Sequence, residues 1–360
     1  MRQGLPSRRF FLHRIARSNA GAIDRAARLA AAVGAELRVE CIAPDELAFA
    51  NLVQSFSPRN KAAIKSVAML GVGTALLQVA EKRLPTSRIV GGTWTDFVQI
   101  NRNGAQGRDG VAFSLCPTVH ARDDRTLIES LDALPDVFAA ACRLAGTREL
   151  DIGPCSLRRR LRRRDGRPAT TPKATDGTAY DVDPRQGQMI AAAWLAGVIA
   201  HASAEGIAAV CTFEFAGAYG IVHITRSGSG QAEPVQTPAY AVFAALAQAR
   251  GHALRRIGID AQRGAVFSVG SDDPELWLVD LAGRPRCWDA GDAAFIRQLT
   301  VRQGQAYWQR EGGTPSTKGR LRGLIKMNAY GIARLHFPAQ LRQKQIDLFA
   351  SRWLHGTAMP

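Results

Sequence analysis

The chain has 360 residues and a formal net charge of +16, from 47 Lys and Arg against 31 Asp and Glu. Its longest apolar run, residues 190–200, is shorter than the roughly 18 residues of a membrane span, which argues against a membrane protein and for globular domains. The first residues lack the continuous apolar region of a secretory signal, so we expect a cytoplasmic protein.

The six cysteines are widely dispersed, and no two of them form a C-x-x-C pair. This spacing predicts neither a zinc site nor a redox pair. We expect the cysteines to be reduced and mostly buried as small apolar side chains. The sequence predicts no metal site and identifies no cofactor.

The positive charge is concentrated in two regions. Residues 158–173 carry a net charge of +7, and residues 289–360 carry eleven Lys or Arg against four Asp or Glu. The first region has no interleaved aromatic residues that would stack on bases, which favours a solvated loop over a nucleic-acid site. We therefore do not expect nucleic acid as a partner, and a steeply salt-dependent interaction lost on neutralising that cluster would contradict this interpretation.

Short strands alternate with helices over the first 250 residues. We predict eight strands, at residues 8–13, 36–42, 62–70, 88–92, 110–115, 149–155, 208–213 and 219–224. A helix over residues 126–144 should be kinked or divided by Pro135, and another should begin at Pro184 with Asp183 as its cap. Eight alternations predict an α/β fold, a (β/α)8 TIM-like barrel over residues 7–250. An open doubly wound sheet is the competing fold, but no G-x-G-x-x-G or Walker motif follows a strand.

The pattern changes after Gly251 to alternating strands without helices. Residues 251–288 are predicted to form a small, partial antiparallel β domain. Residues 289–360 are basic and show little periodicity, so we predict a poorly ordered tail that contains one amphipathic helix near residues 338–354.

Polar residues follow three of the predicted strands. In a barrel of this kind, the carboxyl ends of the strands form the mouth where active sites collect. The seventh strand ends at Glu214, the fifth is followed by His120, and the loop after the fourth (residues 93–103) holds Trp94, Asp96, Gln99, Asn101 and Arg102. His120 suits a general acid or base, although a solvated loop histidine is an equal alternative. Arg185 is a candidate substrate ligand, and its alternative is a solvated residue in a helix start.

Four stretches resemble the D-apionate lactonase family and occur in the same order. They are Gly91-Gly-Thr with Phe97-Val-Gln-Ile-Asn-Arg-Asn103, Phe113-Ser-Leu-Cys-Pro-Thr-Val-His-Ala-Arg-Asp-Asp124, Val182-Asp-Pro-Arg-Gln186 and Thr212-Phe-Glu214. The similarity extends roughly over residues 7–281. The resemblance implies a TIM-barrel enzyme of pentose catabolism that hydrolyses a sugar-acid lactone, followed by a β domain.

Two features depart from the family pattern. The family has a glutamate where this chain has Gln99, and an amide cannot exchange a proton at neutral pH. The family also carries a further region ahead of the barrel, whereas this chain starts almost at the first strand, so a truncated or degenerate relative is expected.

Lactone hydrolysis needs an activated nucleophile, a stabilised oxyanion and a proton for the leaving alkoxide. We assign Glu214 as base or nucleophile and His120 as donor, both catalytic. Substrate binding is assigned to Asn101, Arg102, Gln99, Asp96 and Arg185. The expected partner is a small sugar lactone.

Two alternatives to the lactonase stay open. A retaining glycosidase would need a second carboxylate near Glu214, which Gln99 cannot supply, so Asp96 would have to replace it. A catalytically silent barrel would bind sugar without turnover.

Overall fold

The computed structural model describes residues 11–16, 20–41, 46–54, 56–93, 95–157, 182–226, 230–248, 253–270, 274–290, 293, 295–302, 304–311, 324–337, 340 and 342–354. The chain divides into two compact units. The first comprises Met1–Cys116, Val137–Tyr180 and Ile207–Thr212, and the second comprises Pro117–Asp136, Asp181–Gly206 and Phe213–Pro360. The basic cluster at residues 158–173 and Trp94 lie outside the described residues.

Strands and helices alternate through the first half of the chain. The helices are α1 (Ala20–Ala32), α2 (Glu46–Gln54), α3 (Pro58–Ala63), α4 (Thr74–Arg83), α5 (Phe97–Asn103), α6 (Asp124–Glu129), α7 (Leu134–Ala145), α8 (Met189–Ala204), α9 (Pro238–Gln248) and α10 (Arg342–Leu354), with a 3₁₀ turn at Pro184–Gly187. The strands are β1 (Phe11–Ala16), β2 (Glu36–Cys41), β3 (Ile64–Met69), β4 (Arg88–Gly92), β5 (Gly110–Leu115), β6 (Glu149–Cys155), β7 (Ala209–Thr212), β8 (Glu214–Ala216), β9 (Gly220–Arg226), β10 (Ala232–Gln236), β11 (Leu254–Asp260), β12 (Gly264–Val269), β13 (Glu275–Val279), β14 (Arg286–Asp289), β15 (Phe295–Arg302), β16 (Gln305–Glu311), β17 (Leu324–Met327) and β18 (Ile332–His336).

The first unit is built on a parallel sheet whose seven strands follow one another in chain order, β1 to β7. Strands β2 to β6 are mostly buried and β7 is half-buried, as expected of parallel strands covered on both sides. Apolar side chains of α1, α2 and α4 pack on β2 and β3 in one core, in which Ile23, Leu37 and Phe49 are fully buried. The strands predicted second to seventh from the sequence all occur in this sheet, with ends that differ by a few residues.

The predicted eighth barrel strand is placed differently. β9 does not join the seven-stranded sheet; it pairs antiparallel with β10 and parallel with β8. Only residues 217–219 separate β8 from β9, and such a short connection keeps β9 beside β8. The described strands therefore form a parallel α/β sheet without a complete (β/α)8 closure.

The second unit contains a six-stranded antiparallel sheet in the order β11-β12-β13-β18-β15-β16, beside a two-stranded sheet of β14 and β17. A core lies between one face of the large sheet and α10, with Leu278, Leu335 and Phe349 fully buried. The described residues after 289 thus form four strands and a helix rather than the poorly ordered tail predicted from the sequence. The predicted helix near residues 338–354 is confirmed as α10.

Two other helices show how local sequence determined the structure. Pro135 divides the predicted helix over residues 126–144 into α6 and α7, because proline cannot donate an internal helix hydrogen bond. α8 is apolar around its whole circumference and is buried over nearly its whole length, including Trp194 and Leu195. Among the described residues, no helix is long and apolar enough to cross a membrane.

Candidate active site

The loop after β4 follows the neighbouring strand β5 in the first unit. Gly92 has a φ of +122°, and a Cβ there would collide with the backbone of Ala112. Glycine permits this close approach. Thr93 N–H then donates to the Ala112 carbonyl at 2.9 Å, and Ser114 N–H donates to the Thr95 carbonyl at 2.6 Å. The chain that leaves β4 is therefore fixed to the end of β5.

The sequence predicted a polar loop over residues 93–103, but its second half forms the helix α5. Asp96 caps this helix, because its carboxylate accepts a hydrogen bond from Val98 N–H at 3.0 Å. Ile100 is buried, and Phe97 packs on Phe113 of β5 with ring centroids 5.6 Å apart. The cap and these two apolar contacts stabilise a helix in a short segment that is otherwise polar.

The four site residues predicted after β4 thus belong to one short helix and its cap. Asn101 and Arg102 are exposed, whereas Gln99 and Asp96 are half-buried. The Asp96 carboxylate is already committed to the helix cap, so it is a weaker candidate for proton transfer than the sequence suggested. Asn101 and Arg102 present hydrogen-bond donors to solvent and remain predicted substrate ligands.

His120 lies in the loop between β5 and α6, in the second unit, and its side chain is exposed. The neighbouring Asp123 caps α6 by accepting hydrogen bonds from Thr126 N–H at 2.8 Å and from the Thr126 hydroxyl at 2.7 Å. These hydrogen bonds lower the pKa of the Asp123 carboxyl below its usual range. The loop that carries His120 therefore ends at a well-defined helix start.

Arg185 is held between two carboxylates rather than solvated. Its Nε and Nη2 donate to the carboxylate of Asp183 at 2.9 and 2.7 Å, and its Nη1 donates to Asp124 at 2.8 Å. The Arg185 and Asp183 side chains are each 11% exposed. The Arg185 side chain is therefore not solvated, contrary to the alternative interpretation. Asp183 caps the 3₁₀ turn Pro184–Gly187, whereas the helix predicted to begin at Pro184 begins at Met189.

Arg185, Asp183 and Asp124 form a charged cluster whose members stabilise one another. Burial by itself would raise the pKa of the Asp183 carboxyl, but the hydrogen bonds from Arg185 outweigh burial and lower that pKa. The same hydrogen bonds to Asp183 are the main reason why the pKa of Arg185 is raised. Because two carboxylates already neutralise the guanidinium, Arg185 is better suited to hold the start of α6 than to bind an anionic substrate.

Glu214 follows β7 by two residues and is exposed. The preceding residue, Phe213, is buried and lies 6.4 Å from Trp194 of α8, measured between ring centroids. Alternation along an extended chain therefore directs Glu214 away from this apolar contact. Its backbone N–H donates to the Tyr219 carbonyl at 3.1 Å, which fixes the position of the residue at the start of β8.

Two residues near the 3₁₀ turn were missed from the sequence. The ring of His223 on β9 lies against Gly187, where any Cβ would collide with it. Burial lowers the pKa of His223, and its Nε2 is buried without a hydrogen-bond partner in the described structure. The side-chain nitrogen of Gln186 is buried without a partner in the same sense. Such atoms are candidates for contact with a bound polar molecule. The Val182–Gln186 motif contains Gln186, whereas no sequence signal pointed to His223.

The predicted site residues are distributed over both units. Asp96, Gln99, Asn101 and Arg102 belong to the first unit, and His120, Arg185 and Glu214 belong to the second. Within the described ranges, no three His, Cys, Asp or Glu side chains are grouped so that they could hold a metal ion. The chemistry available at these positions is that of two carboxylates, an imidazole, two amides and two guanidinium groups.

Residues 72–251, half of the chain, match the family model described as "D-apionate lactonase, TIM barrel domain". A D-apionate lactonase of Brucella anthropi is 22% identical over 213 residues, which cover 58% of this chain and 34% of the relative. The chain therefore spans about a third of the length of the curated relative that it matches.

The chain is also similar to solved structures of two other proteins. A β-glucuronidase of Bacteroides uniformis is 11% identical, with a TM-score of 0.44 over 91% of this chain and 42% of that chain. Endo-glycoceramidase II from a Rhodococcus species is also 11% identical, with a TM-score of 0.40 over 92% of this chain and 88% of that chain. At this identity and TM-score, no functional conclusion rests on either likeness.

Proposed function

Because the chain belongs to the family that the D-apionate lactonase TIM barrel domain model describes, we propose that it hydrolyses the cyclic ester of a sugar acid. One observation carries the proposal: the match over residues 72–251 contains every residue that we assigned to the site from the sequence. Because the chain covers only 34% of the relative, the proposal names a substrate class, a hydroxylated lactone.

The reaction adds water across an ester bond within a ring. A water oxygen attacks the carbonyl carbon, and the carbonyl oxygen becomes an oxyanion in a tetrahedral intermediate. This intermediate collapses with cleavage of the bond between the carbonyl carbon and the ring oxygen, and the departing alkoxide takes a proton. The product is an open-chain hydroxy acid, and the reaction needs a base for the water and an acid for the leaving oxygen.

Glu214 is the proposed general base. Its carboxylate is exposed at a strand end, where it is accessible to a water molecule, and its backbone is fixed by the hydrogen bond to Tyr219. His120 is the proposed acid, since imidazole is the side chain best suited to exchange a proton near neutral pH. Both residues belong to the second unit and follow strands of the parallel sheet.

The residues of α5 are proposed to bind the substrate hydroxyl groups. Asn101 and Arg102 are exposed and offer several N–H donors. Gln99 both donates and accepts hydrogen bonds without exchanging a proton, so it fits a ligand of a hydroxyl rather than a second catalytic acid. The residues proposed to transfer protons are one carboxylate and one imidazole, while the Asp96 carboxylate caps α5. This assignment supports ester hydrolysis more than the paired carboxylates of a retaining glycosidase.

We extend the proposal to the fold. The seven parallel strands are the wall of a TIM-type barrel, with the site residues beyond the carboxyl ends of β4, β5 and β7. The eighth position of the wall is not taken by β9 in the described structure, so a complete (β/α)8 barrel would need another segment there.

The test is hydrolysis of a panel of five- and six-membered aldonolactones, measured as acid release above the spontaneous rate. Glu214→Gln should lower kcat by about a hundredfold or more, because an amide cannot accept the proton of water. Glu233→Gln removes another exposed carboxylate, on β10, and should leave the rate unchanged.

Two results would count against the lactonase. An active wild type whose Glu214→Gln variant is just as active would eliminate the assigned base. Hydrolysis of aryl glycosides with no turnover of any lactone would move the chain to glycosidase chemistry, and sugar binding without turnover of either would leave a silent barrel.

A further inference from the structure

The six-stranded sheet places three arginines of the basic region after position 289 side by side on neighbouring strands. Arg297 on β15 pairs with Arg334 on β18 on one side and with Arg310 on β16 on the other. Residues directly opposite one another in a sheet project from the same face. Three guanidinium groups therefore stand in one row on one face, which the irregular spacing of these residues along the sequence does not reveal.

One of the three is fully compensated. Arg334 donates to both carboxylate oxygens of Glu275 at 2.7 Å and is 7% exposed. Its guanidinium carbon lies 5.4 Å from the ring centre of Trp277 and 5.1 Å from that of Trp308. Such a neutralised and enclosed arginine is part of the packing of the sheet.

Arg297 and Arg310 differ from Arg334 in that they share one aromatic ring and have no carboxylate partner among the described residues. The guanidinium carbons of Arg297 and Arg310 lie over the same ring, that of Phe295, at 5.4 and 4.8 Å from its centre. In the part of the chain that the structure describes, no carboxylate pairs with either of them, and Arg310 is exposed. Like charges directly opposite one another destabilise strand pairing. A bound anion would offset the repulsion between Arg297 and Arg310.

Phe295 acts as the support for this pair. Its ring stacks on His336 with centroids 4.0 Å apart and planes inclined by 18°. That face of Phe295 is therefore closed to a nucleic-acid base or a sugar ring. Recognition at this position must come from the guanidinium groups, whose planar forks match the oxygen atoms of a phosphate.

We propose that Arg297 and Arg310, supported by Phe295, bind the phosphate group of a small molecule. Two guanidinium groups supply a charge of +2, which matches the charge of nearly −2 on a phosphate monoester at neutral pH. The site is separate from the proposed hydrolysis, since it uses none of the residues assigned there and requires no turnover.

Thermal unfolding and calorimetry on the full chain test the proposal at constant ionic strength. Inorganic phosphate should raise Tm relative to chloride, and the variant with both Arg297→Gln and Arg310→Gln should bind phosphate at least about tenfold more weakly. Arg302→Gln is the matched control, because it removes the same charge from the same strand on the opposite face. Should the double variant fail to fold, Arg297→Lys and Arg310→Lys keep the charge and lose the fork.

A second ligand distinguishes free phosphate from the phosphate group of a sugar. Glucose 6-phosphate that binds more tightly than inorganic phosphate supports a phosphorylated sugar, and equal affinities support free phosphate. The proposal is overturned if chloride and phosphate act alike, or if phosphate binds the double variant as well as it binds the wild type.

Discussion

Arg38 on β2 and Asp151 on β6 are joined at 2.6 Å, although four strand-to-strand steps separate them in the sheet. Neighbouring strands lie about 4.8 Å apart, so a flat sheet would hold these two strands about 19 Å apart. Arg88 on β4 donates to the same carboxylate at 2.7 Å. The parallel sheet of the first unit must therefore curve strongly around this buried carboxylate, as the wall of a barrel does.

Replacing that carboxylate should destabilise the first unit more than any surface change. Asp151 is 1% exposed and Arg38 is 3% exposed, so Asp151→Asn deprives a buried guanidinium of this counter-charge. We expect the free energy of unfolding to fall by about 3–5 kcal/mol, measured by urea denaturation. Glu129→Gln breaks an exposed ion pair with Arg125 and should cost at most about 0.5 kcal/mol. Equal effects of the two changes would show that the curved sheet does not depend on Asp151.

His201 should make the stability of the second unit depend on pH. Burial and then the charge of Arg256 lower its pKa to about 4. Arg256 Nη1 lies 2.9 Å from His201 Nδ1, and a guanidinium only donates, so the neutral ring carries its hydrogen on Nε2. The pKa in the unfolded chain is near 6.5, so between pH 6.5 and 4 the unfolded state binds the extra proton.

Because the unfolded state binds this proton first, lowering the pH favours unfolding. Stability is fully present above pH 6.5 and decreases as the pH falls towards 4, by up to about 3 kcal/mol. His201→Gln keeps an acceptor for Arg256 and should flatten the pH dependence of urea unfolding in this window. An unchanged slope in the variant would assign the pH dependence to other groups.

Local signals in the sequence identified most elements but not the pairing of all strands. Pro135 and Asp183 act through their own backbone and nearest neighbours. Pro135 divides a helix as predicted, and Asp183 is a cap, although of a 3₁₀ turn ahead of the predicted helix. β9 was recognised as a strand, yet its partner depends on the three-residue connection from β8. Periodicity defines which residues are extended, whereas the partner of an edge strand is decided by chain connections and tertiary packing.

In the candidate site, too, the sequence indicated the positions of residues along the chain but not all of their tertiary contacts. The positions of Glu214 and His120 beyond strand ends follow from the order of the elements. The pairing of Arg185 with Asp124 joins residues 61 positions apart, and no local pattern indicates it. The basic region after residue 289 was misread because its arginines are spaced irregularly in sequence and align only through strand register.

The cluster around Arg185 should stabilise the start of α6. Arg185→Gln removes the hydrogen bonds to Asp183 and Asp124, and we expect a loss of about 2 kcal/mol at pH 7. The pKa of Asp183 is lowered in the folded protein, so its contribution is present above the unfolded value of 3.8 and is lost as the pH falls through the folded pKa. The difference between variant and wild type should therefore shrink in acid.

Hydrogen exchange would locate the effect. Amide protons in the first turn of α6 should exchange faster in Arg185→Gln, while those of α10 should be unaffected. Arg125→Gln, which removes an arginine that is 80% exposed from the same helix, should change neither stability nor exchange appreciably. A variant of Arg185 that behaves like the Arg125 variant would contradict a structural role for the cluster.

Gly197 in the middle of α8 provides a test of packing. An exposed glycine in a helix usually gains stability on change to alanine, by up to about 1 kcal/mol. Here a Cβ would lie 2.7 Å from Cδ1 and 3.0 Å from Cδ2 of Leu131, which is fully buried. Gly197→Ala should therefore lower the free energy of unfolding by about 1–3 kcal/mol, since the buried leucine would have to shift against its neighbours.

A double-mutant cycle separates this contact from helix propensity. Leu131→Ala alone should cost about 2–5 kcal/mol through the cavity that it leaves. In the Leu131→Ala background the methyl group added at position 197 meets open space, so Gly197→Ala should become neutral or stabilising. The two changes should thus be coupled by at least about 1 kcal/mol in urea unfolding. Additive effects would mean that α8 shifts to relieve the contact with Leu131. The position of α8 would then be set by other contacts, such as that of Trp194, whose indole N–H donates to the Ser130 hydroxyl at 3.1 Å.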